Sequence, residues 1–214
     1  MVDSHAHLQH ERFDGDREAV IERAVVAGIE RILVPGWDLA SSEAALALAA
    51  RHPGLIQAAV GVHPHHAAEM DETAWARLEG LAAEPLALAV GEIGLDYHRN
   101  LSPPDAQRAA LSRQLEIAAT RGLPVLVHDR NAHADVTEAL LAWAAAGPGR
   151  RGVLHAFSGD RPMAEALVAV GFIISFALPV AFRSADGPRE AAAVLPAGTF
   201  TVETDSPYLG PDRD

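Results

Sequence analysis

Eight short apolar, β-branched runs recur along the chain, each separated from the next by a longer Ala/Leu/Glu/Arg stretch of helical period. That alternation constrains the fold more than any other feature. Short strands separated by helices imply βαβ units and a parallel sheet. The predicted strands are Met1–His7, Arg31–Pro35, Ile56–His63, Ala87–Leu95, Pro124–His128, Gly152–Ala156, Phe172–Phe176 and Thr199–Asp205. Helices are predicted between them over 15–27, 41–51, 71–83, 105–121, 133–145, 161–169 and 187–194. The fourth is the clearest: Leu111, Leu115 and Ala118 share one face, Pro103 and Pro104 precede it, and Gly122 follows as a stop. Eight strands with seven intervening helices give the count of an α/β (β/α)8 TIM barrel, with residues 1–214 read as one domain. The chain runs nine residues beyond the last strand signal. The final C-terminal helix, which would cover the first and last strands, is therefore expected to be missing.

Composition narrows the chemistry. The sequence has no cysteine, which removes disulfides, thiolate zinc sites and a cysteine nucleophile together. All 17 basic residues are arginine, so neither a Schiff-base lysine nor the lysine of a phosphate-binding P-loop is available. The net charge is −12, with no basic run. A module that grips nucleic acid by its backbone usually carries a basic patch. An enzyme acting on nucleic acid would here need bound cations and a few local arginines to supply positive potential. No apolar stretch reaches the roughly 18 residues that span a bilayer, so no membrane partner is expected. No basic n-region with an apolar h-region opens the chain, so a cytoplasmic protein is expected.

The metal-type residues cluster at one end of the predicted strands. His5 and His7 are two apart, and alternate strand residues point to the same side. Glu92 follows the apolar run Leu86–Val90, His128 ends 124–127, His155 follows Val153 and Leu154, and Asp205 follows 200–204. Each stands at the C-terminal end of a strand, where barrel enzymes build their sites. A lone strand-end histidine is ordinarily capped or solvent-facing. Six such residues on five of eight strands are hard to obtain as unrelated accidents. Imidazole and carboxylate without thiolate suit Zn, Mn, Fe, Co or Mg. Six ligands exceed the need of one tetrahedral ion, so two divalent ions are expected, with Glu92 best placed to bridge them at about 3.5–4 Å.

The runs DSHAHL (3–8), GVHPH (61–65), GEIGLDY (91–97), LPVLVHDR (123–130), HAFSG (155–159) and ETDSPYL (203–209) strongly resemble the TatD family of metal-dependent deoxyribonucleases, within the amidohydrolase-like superfamily. The resemblance covers essentially the whole chain, in the right order. It implies that His5, His7 and Asp205 bind one ion, that His128 and His155 bind the second, and that Glu92 bridges. Related barrels of the superfamily bridge with a carboxylated lysine, whereas position 92 here is glutamate. Two departures stand out. Ala156 replaces the cysteine of the common HCFSG, and the family's RNEP segment and final helix are absent after ETDSPYL.

The implied reaction is hydrolysis of DNA or another phosphodiester by a metal-activated water, with Asp205 orienting that water and taking its proton. A metal hydrolase of the same superfamily acting on a small amide, ester or lactone is the alternative. A non-enzymatic metal-binding scaffold is a third reading, and no oligomeric state is implied. His63 and Arg130 are expected to contact substrate phosphate. Their structural alternatives are support of a ligand and a salt bridge across the mouth. Asp96 is expected to orient a neighbouring His or Arg, or else to cap a loop. Tyr97 reads as a base-stacking or rim-packing ring. His10, His52, His66, His98 and His133 read as exposed or loop residues.

Overall fold

A computed structural model, which describes residues 1–210, shows strands and helices in strict alternation. They are β1 (Val2–Asp3), α1 (Arg17–Val26), β2 (Arg31–Pro35), α2 (Leu39–Arg51), β3 (Ile56–Val60), α3 (Glu72–Leu81), β4 (Ala87–Asp96), α4 (Pro104–Arg121), β5 (Val125–Arg130), α5 (His133–Ala145), β6 (Gly152–Leu154), α6 (Arg161–Ala169), β7 (Ile173–Phe176), α7 (Asp186–Val194) and β8 (Phe200–Val202). The eight strands form one sheet in the order β1 to β8, and every neighbouring pair is parallel. The barrel closes between β8 and β1. There Asp205 N–H donates to the His5 carbonyl at 2.9 Å and His7 N–H to the Ser206 carbonyl at 2.7 Å.

Local chemistry sets the helices. In α2 the Asp38 side chain accepts from Ser41 N–H while Ser41 Oγ accepts from Asp38 N–H, a reciprocal cap at its start. Helix α4 ends at Gly122 with φ +67°, the left-handed geometry glycine adopts freely. It buries Ala110, Leu111, Leu115 and Ala118 against the barrel. Each leucine so buried contributes about 1.5–3 kcal/mol. Two apolar clusters fill the space between sheet and helices. A smaller one centres on Ile21, Ile32, Val34, Leu48 and Ile56, and a larger one on Val90, Leu115, Val127, Leu140, Leu167 and Ile174. On β8, Phe200 and Val202 are exposed. Among the described residues no helix follows β8.

Several strands stop short of their expected ends. β1 ends at Asp3, β3 at Val60, β6 at Leu154 and β8 at Val202. Past those ends single cross-strand hydrogen bonds continue, such as Ala6 N–H to the Leu33 carbonyl at 3.1 Å and His155 N–H to the Val127 carbonyl at 2.9 Å, but the regular ladder does not. β4 and β5 instead run on to Asp96 and Arg130, because they remain paired there. Their register shifts between Gly91 and Ile93, leaving Glu92 as the extra residue of a bulge. Such bulges re-aim a side chain.

Candidate metal centre

Glu92 is the hub of the mouth, buried at 3% exposure. Its Oε2 lies 3.3 Å from His5 Nε2 and 3.6 Å from His7 Nε2. Its Oε1 lies 3.0 Å from His128 Nδ1, 3.2 Å from His155 Nε2 and 3.5 Å from His63 Nε2. Asp205 Oδ1 is 3.6 Å and 3.5 Å from the same nitrogens of His5 and His7. These two nitrogens are 3.0 Å apart. The structure thus brings together His5, His7, Glu92, His128, His155 and Asp205, with His63 beside them. Arg130 stays apart: it is exposed at the end of β5, and its guanidinium has no ion pair among the described residues.

The donor set fits divalent ions. Ligand bonds of about 2.0–2.2 Å put neighbouring ligand atoms about 3.0–3.5 Å apart. The separations among His5, His7, Glu92 and Asp205 fall in that range or within a tenth of an ångström of it. His128 gives a second sign. Both of its nitrogens are buried without a hydrogen bond, although Nδ1 is 3.0 Å from Glu92 and Nε2 is 3.5 Å from Asp96. The groups are close but not aligned on each other, as ligands converging on a third point would be.

The backbone around the ligands is tightly specified. Gly94 has φ +142°, and a Cβ there would lie 1.9 Å from the His128 carbonyl oxygen. Only glycine lets β4 approach β5 closely enough to set Glu92 against His128. Asp205 has φ +54° and Ala156, next to His155, has φ +41°. Left-handed geometry is uncommon outside glycine and occurs at sites held by their surroundings. Here Asp3 holds the first turn: its Oδ1 accepts from Thr204 N–H at 3.1 Å and its Oδ2 from Thr204 Oγ1 at 2.8 Å. Glu203 holds the second, accepting from Ala156 N–H at 2.6 Å.

Glu203 also orients His155. Its Oε1 accepts from His155 Nδ1 at 2.9 Å, and its Oε2 accepts from Ser175 Oγ at 2.5 Å. Nδ1 is thereby committed to Glu203, and Nε2, which faces Glu92, is the nitrogen that a metal ion would take. His5, His155 and Glu203 approach within ligand distance of one another. The Glu203 oxygens are already engaged, so its part is orientation. Asp96 plays a similar part on the other side. Its Oδ2 accepts from His65 Nε2 at 2.7 Å and faces His128, while its Oδ1 caps His98 N–H and Arg99 N–H. Tyr97 donates to Asp135 at 2.6 Å, a rim-packing contact.

Charge is balanced inside the cluster. Burial pushes the Glu92 carboxyl up, but His155, His5 and His63 outweigh it and hold the group well below the carboxylate range. Burial pushes His155 down, yet Glu92 and Glu203 lift it well above an ordinary imidazole. Glu203 is held at about 2: burial opposes this, but His155 prevails. Burial lowers His5 and, more strongly, His63.

Glu203 and Asp3 carry clear structural parts that the sequence reading assigned to no one. A signal existed for Glu203: it stands two before Asp205, the same spacing that picks out His5 and His7.

Fold and donor set together define a class: a (β/α)8 metal-dependent hydrolase with a His/carboxylate centre at the C-terminal mouth. The chain belongs to the family described as TatD related DNase, which it matches over residues 2–214. It is 40% identical over 212 residues to the 3′-5′ ssDNA/RNA exonuclease TatD of Erwinia billingiae, covering 99% of this chain and 80% of that protein. It is 37% identical over 211 residues to the uncharacterized metal-dependent hydrolase YabD of Bacillus subtilis, covering 99% and 82%. The crystal structure of YJJV, a TatD homolog from Escherichia coli K12, superposes with a TM-score of 0.89 at 31% identity, over 98% of this chain and 80% of that one.

Proposed function

We propose that this protein hydrolyses phosphodiester bonds of single-stranded nucleic acid, using two divalent ions drawn from Mg, Mn, Zn, Co and Fe. His5, His7 and Asp205 would hold one ion, His128 and His155 the other, and Glu92 would serve both. The observation that carries this reading is the placement of Glu92, with one carboxylate oxygen toward His5 and His7 and the other toward His128 and His155. Relatives named 3′-5′ ssDNA/RNA exonuclease, at up to 40% identity over nearly the whole chain, support the substrate class.

Bound divalent ions supply Lewis acidity at a phosphoryl oxygen and lower the pKa of a water toward neutrality. The protein's own residues do the rest. Asp205 orients the attacking water and accepts its proton. His63 is a hydrogen-bond donor to phosphate: its Nδ1 accepts from His65 N–H at 3.1 Å, so the neutral ring carries its proton on Nε2. Arg130, exposed at the rim, offers a fork of donors to a flanking phosphate. No side chain need become covalently attached to substrate.

The test is hydrolysis of a labelled single-stranded oligonucleotide by metal-stripped protein, with and without Mg, Mn, Co or Zn, beside Glu92→Ala. Added metal should restore cleavage. Glu92→Ala should lose more than the roughly 10–100-fold that follows removal of a mere outer partner of a ligand. Turnover of amides, esters or lactones with none of phosphodiesters would overturn the reading.

A further inference from the structure

Beside the ligand cluster, four rings meet at the β1, β2 and β8 side of the mouth. Trp37 comes from the turn between β2 and α2, His7 and His10 from the loop after β1, and Tyr208 from the turn after β8. The His7 ring lies 5.2 Å from Trp37 and 5.4 Å from Tyr208, centroid to centroid. The His10 ring lies 5.8 Å from Trp37 and 5.5 Å from Tyr208. Trp37 and Tyr208 thus share the same two imidazoles, one of them a candidate metal ligand.

These two large rings are not core. Trp75 and Trp143 are each only 7% exposed and sit in the main apolar cluster. Trp37 is only partly buried and belongs to neither cluster. Tyr208 is 40% exposed. Two partly exposed aromatic rings beside a mouth of His, Asp and Glu side chains offer the kind of surface a flat, partly apolar ligand covers. A cation stands near. Exposed Arg12 donates to the Pro207 carbonyl at 3.2 Å, on the same turn as Tyr208, in a chain of net charge −12.

We propose that Trp37 and Tyr208 form a stacking subsite for an unpaired nucleobase, next to the centre where its phosphate is cleaved. This rests on the nuclease reading for its purpose but not for its geometry. Every base has a π-face, so stacking tolerates sequence, whereas a base held in a duplex cannot offer that face. The subsite thus selects single strands. His10, read from the sequence as a loop residue, forms part of its floor.

Two measurements test the subsite. The first is binding. Trp37 is the one tryptophan not buried in the core, so its fluorescence reports on the mouth. Thymidine 5′-monophosphate, with and without Mg, should quench it saturably, and ribose 5-phosphate should not. Trp37→Phe should remove the signal, and Tyr208→Ala should weaken the binding by about 5- to 150-fold, the worth of one stacked base. The second is kinetic. With a single-stranded oligomer, Trp37→Ala should raise KM and Trp37→Phe should restore most of it. An abasic oligomer of the same backbone should be cleaved within about twofold of wild type by both variants. Equal quenching by ribose 5-phosphate, or equal losses on normal and abasic strands, would overturn the subsite. Saturable nucleotide binding in a protein that cleaves no phosphodiester would leave the subsite standing and sink the nuclease reading alone.

Discussion

The Glu203 carboxylate accepts the Nδ1 proton of His155 at 2.9 Å, and on its far side it takes the Ser175 hydroxyl at 2.5 Å. Three strand ends, those of β6, β7 and β8, are locked to one another through this single buried group. Glu203→Gln keeps the shape and an acceptor oxygen but removes the charge. The ring then loses basicity at the nitrogen facing Glu92. On the two-ion proposal, metal affinity at the His128–His155 position should fall by about 10–100-fold, the usual effect of altering a ligand's outer partner. Calorimetric titration with Mn or Zn should show weakened binding. An unchanged isotherm would show that Glu203 serves packing alone.

Gly94 makes a sharper structural prediction. Its φ of +142° disfavours any side chain, and its Cβ position lies 1.9 Å from the His128 carbonyl. Backbone cannot yield as a flexible side chain can. Gly94→Ala should therefore push β4 from β5 and cost about 4 kcal/mol or more, in the range reserved for such mechanisms. A thermal melt reads the loss. Gly15→Ala, at a position where an added Cβ meets nothing within 4 Å, is the control and should melt like wild type. A Gly94→Ala melt that matched it would contradict the close approach.

How legible all this was in the sequence depends on the range of each interaction. The alternation of short β-branched runs and helical stretches is local, and it placed all eight strands and seven helices. Strand-end chemistry is nearly as local, which is why His5, His7, Glu92, His128, His155 and Asp205 could be named as candidates, and the fold brings these six together. The register shift that turns Glu92 inward depends on β4 against β5 and leaves no mark in either strand alone. Trp37 and Tyr208 lie 171 positions apart and share ring contacts with His7 and His10. The ends of β1, β3, β6 and β8 were read too long for a related reason. Their apolar and ligand residues continue past the point where ladder pairing stops, and pattern does not record pairing.

The last prediction concerns pH. His133 opens α5, and its Nδ1 lies 2.7 Å from Asp129 Oδ2. That hydrogen bond raises the imidazole above its ordinary value near 6.5, against the opposing effect of burial. A group whose pKa is higher folded than unfolded stabilises the fold while it is protonated in both states. The contribution is therefore whole below the unfolded value and disappears as pH rises through the folded one. The side chain is 41% exposed, so screening keeps the gain below about 1 kcal/mol. His133→Gln should unfold at lower denaturant than wild type at about pH 5.5, where both forms of the histidine are charged. The gap should close at about pH 9, where neither is. Both proteins should be metal-stripped, so that proton competition at the metal centre is common to the two curves. A gap of equal size at both pH values would mean that His133 contributes through packing at the start of α5, and that its ion pair with Asp129 adds nothing to stability.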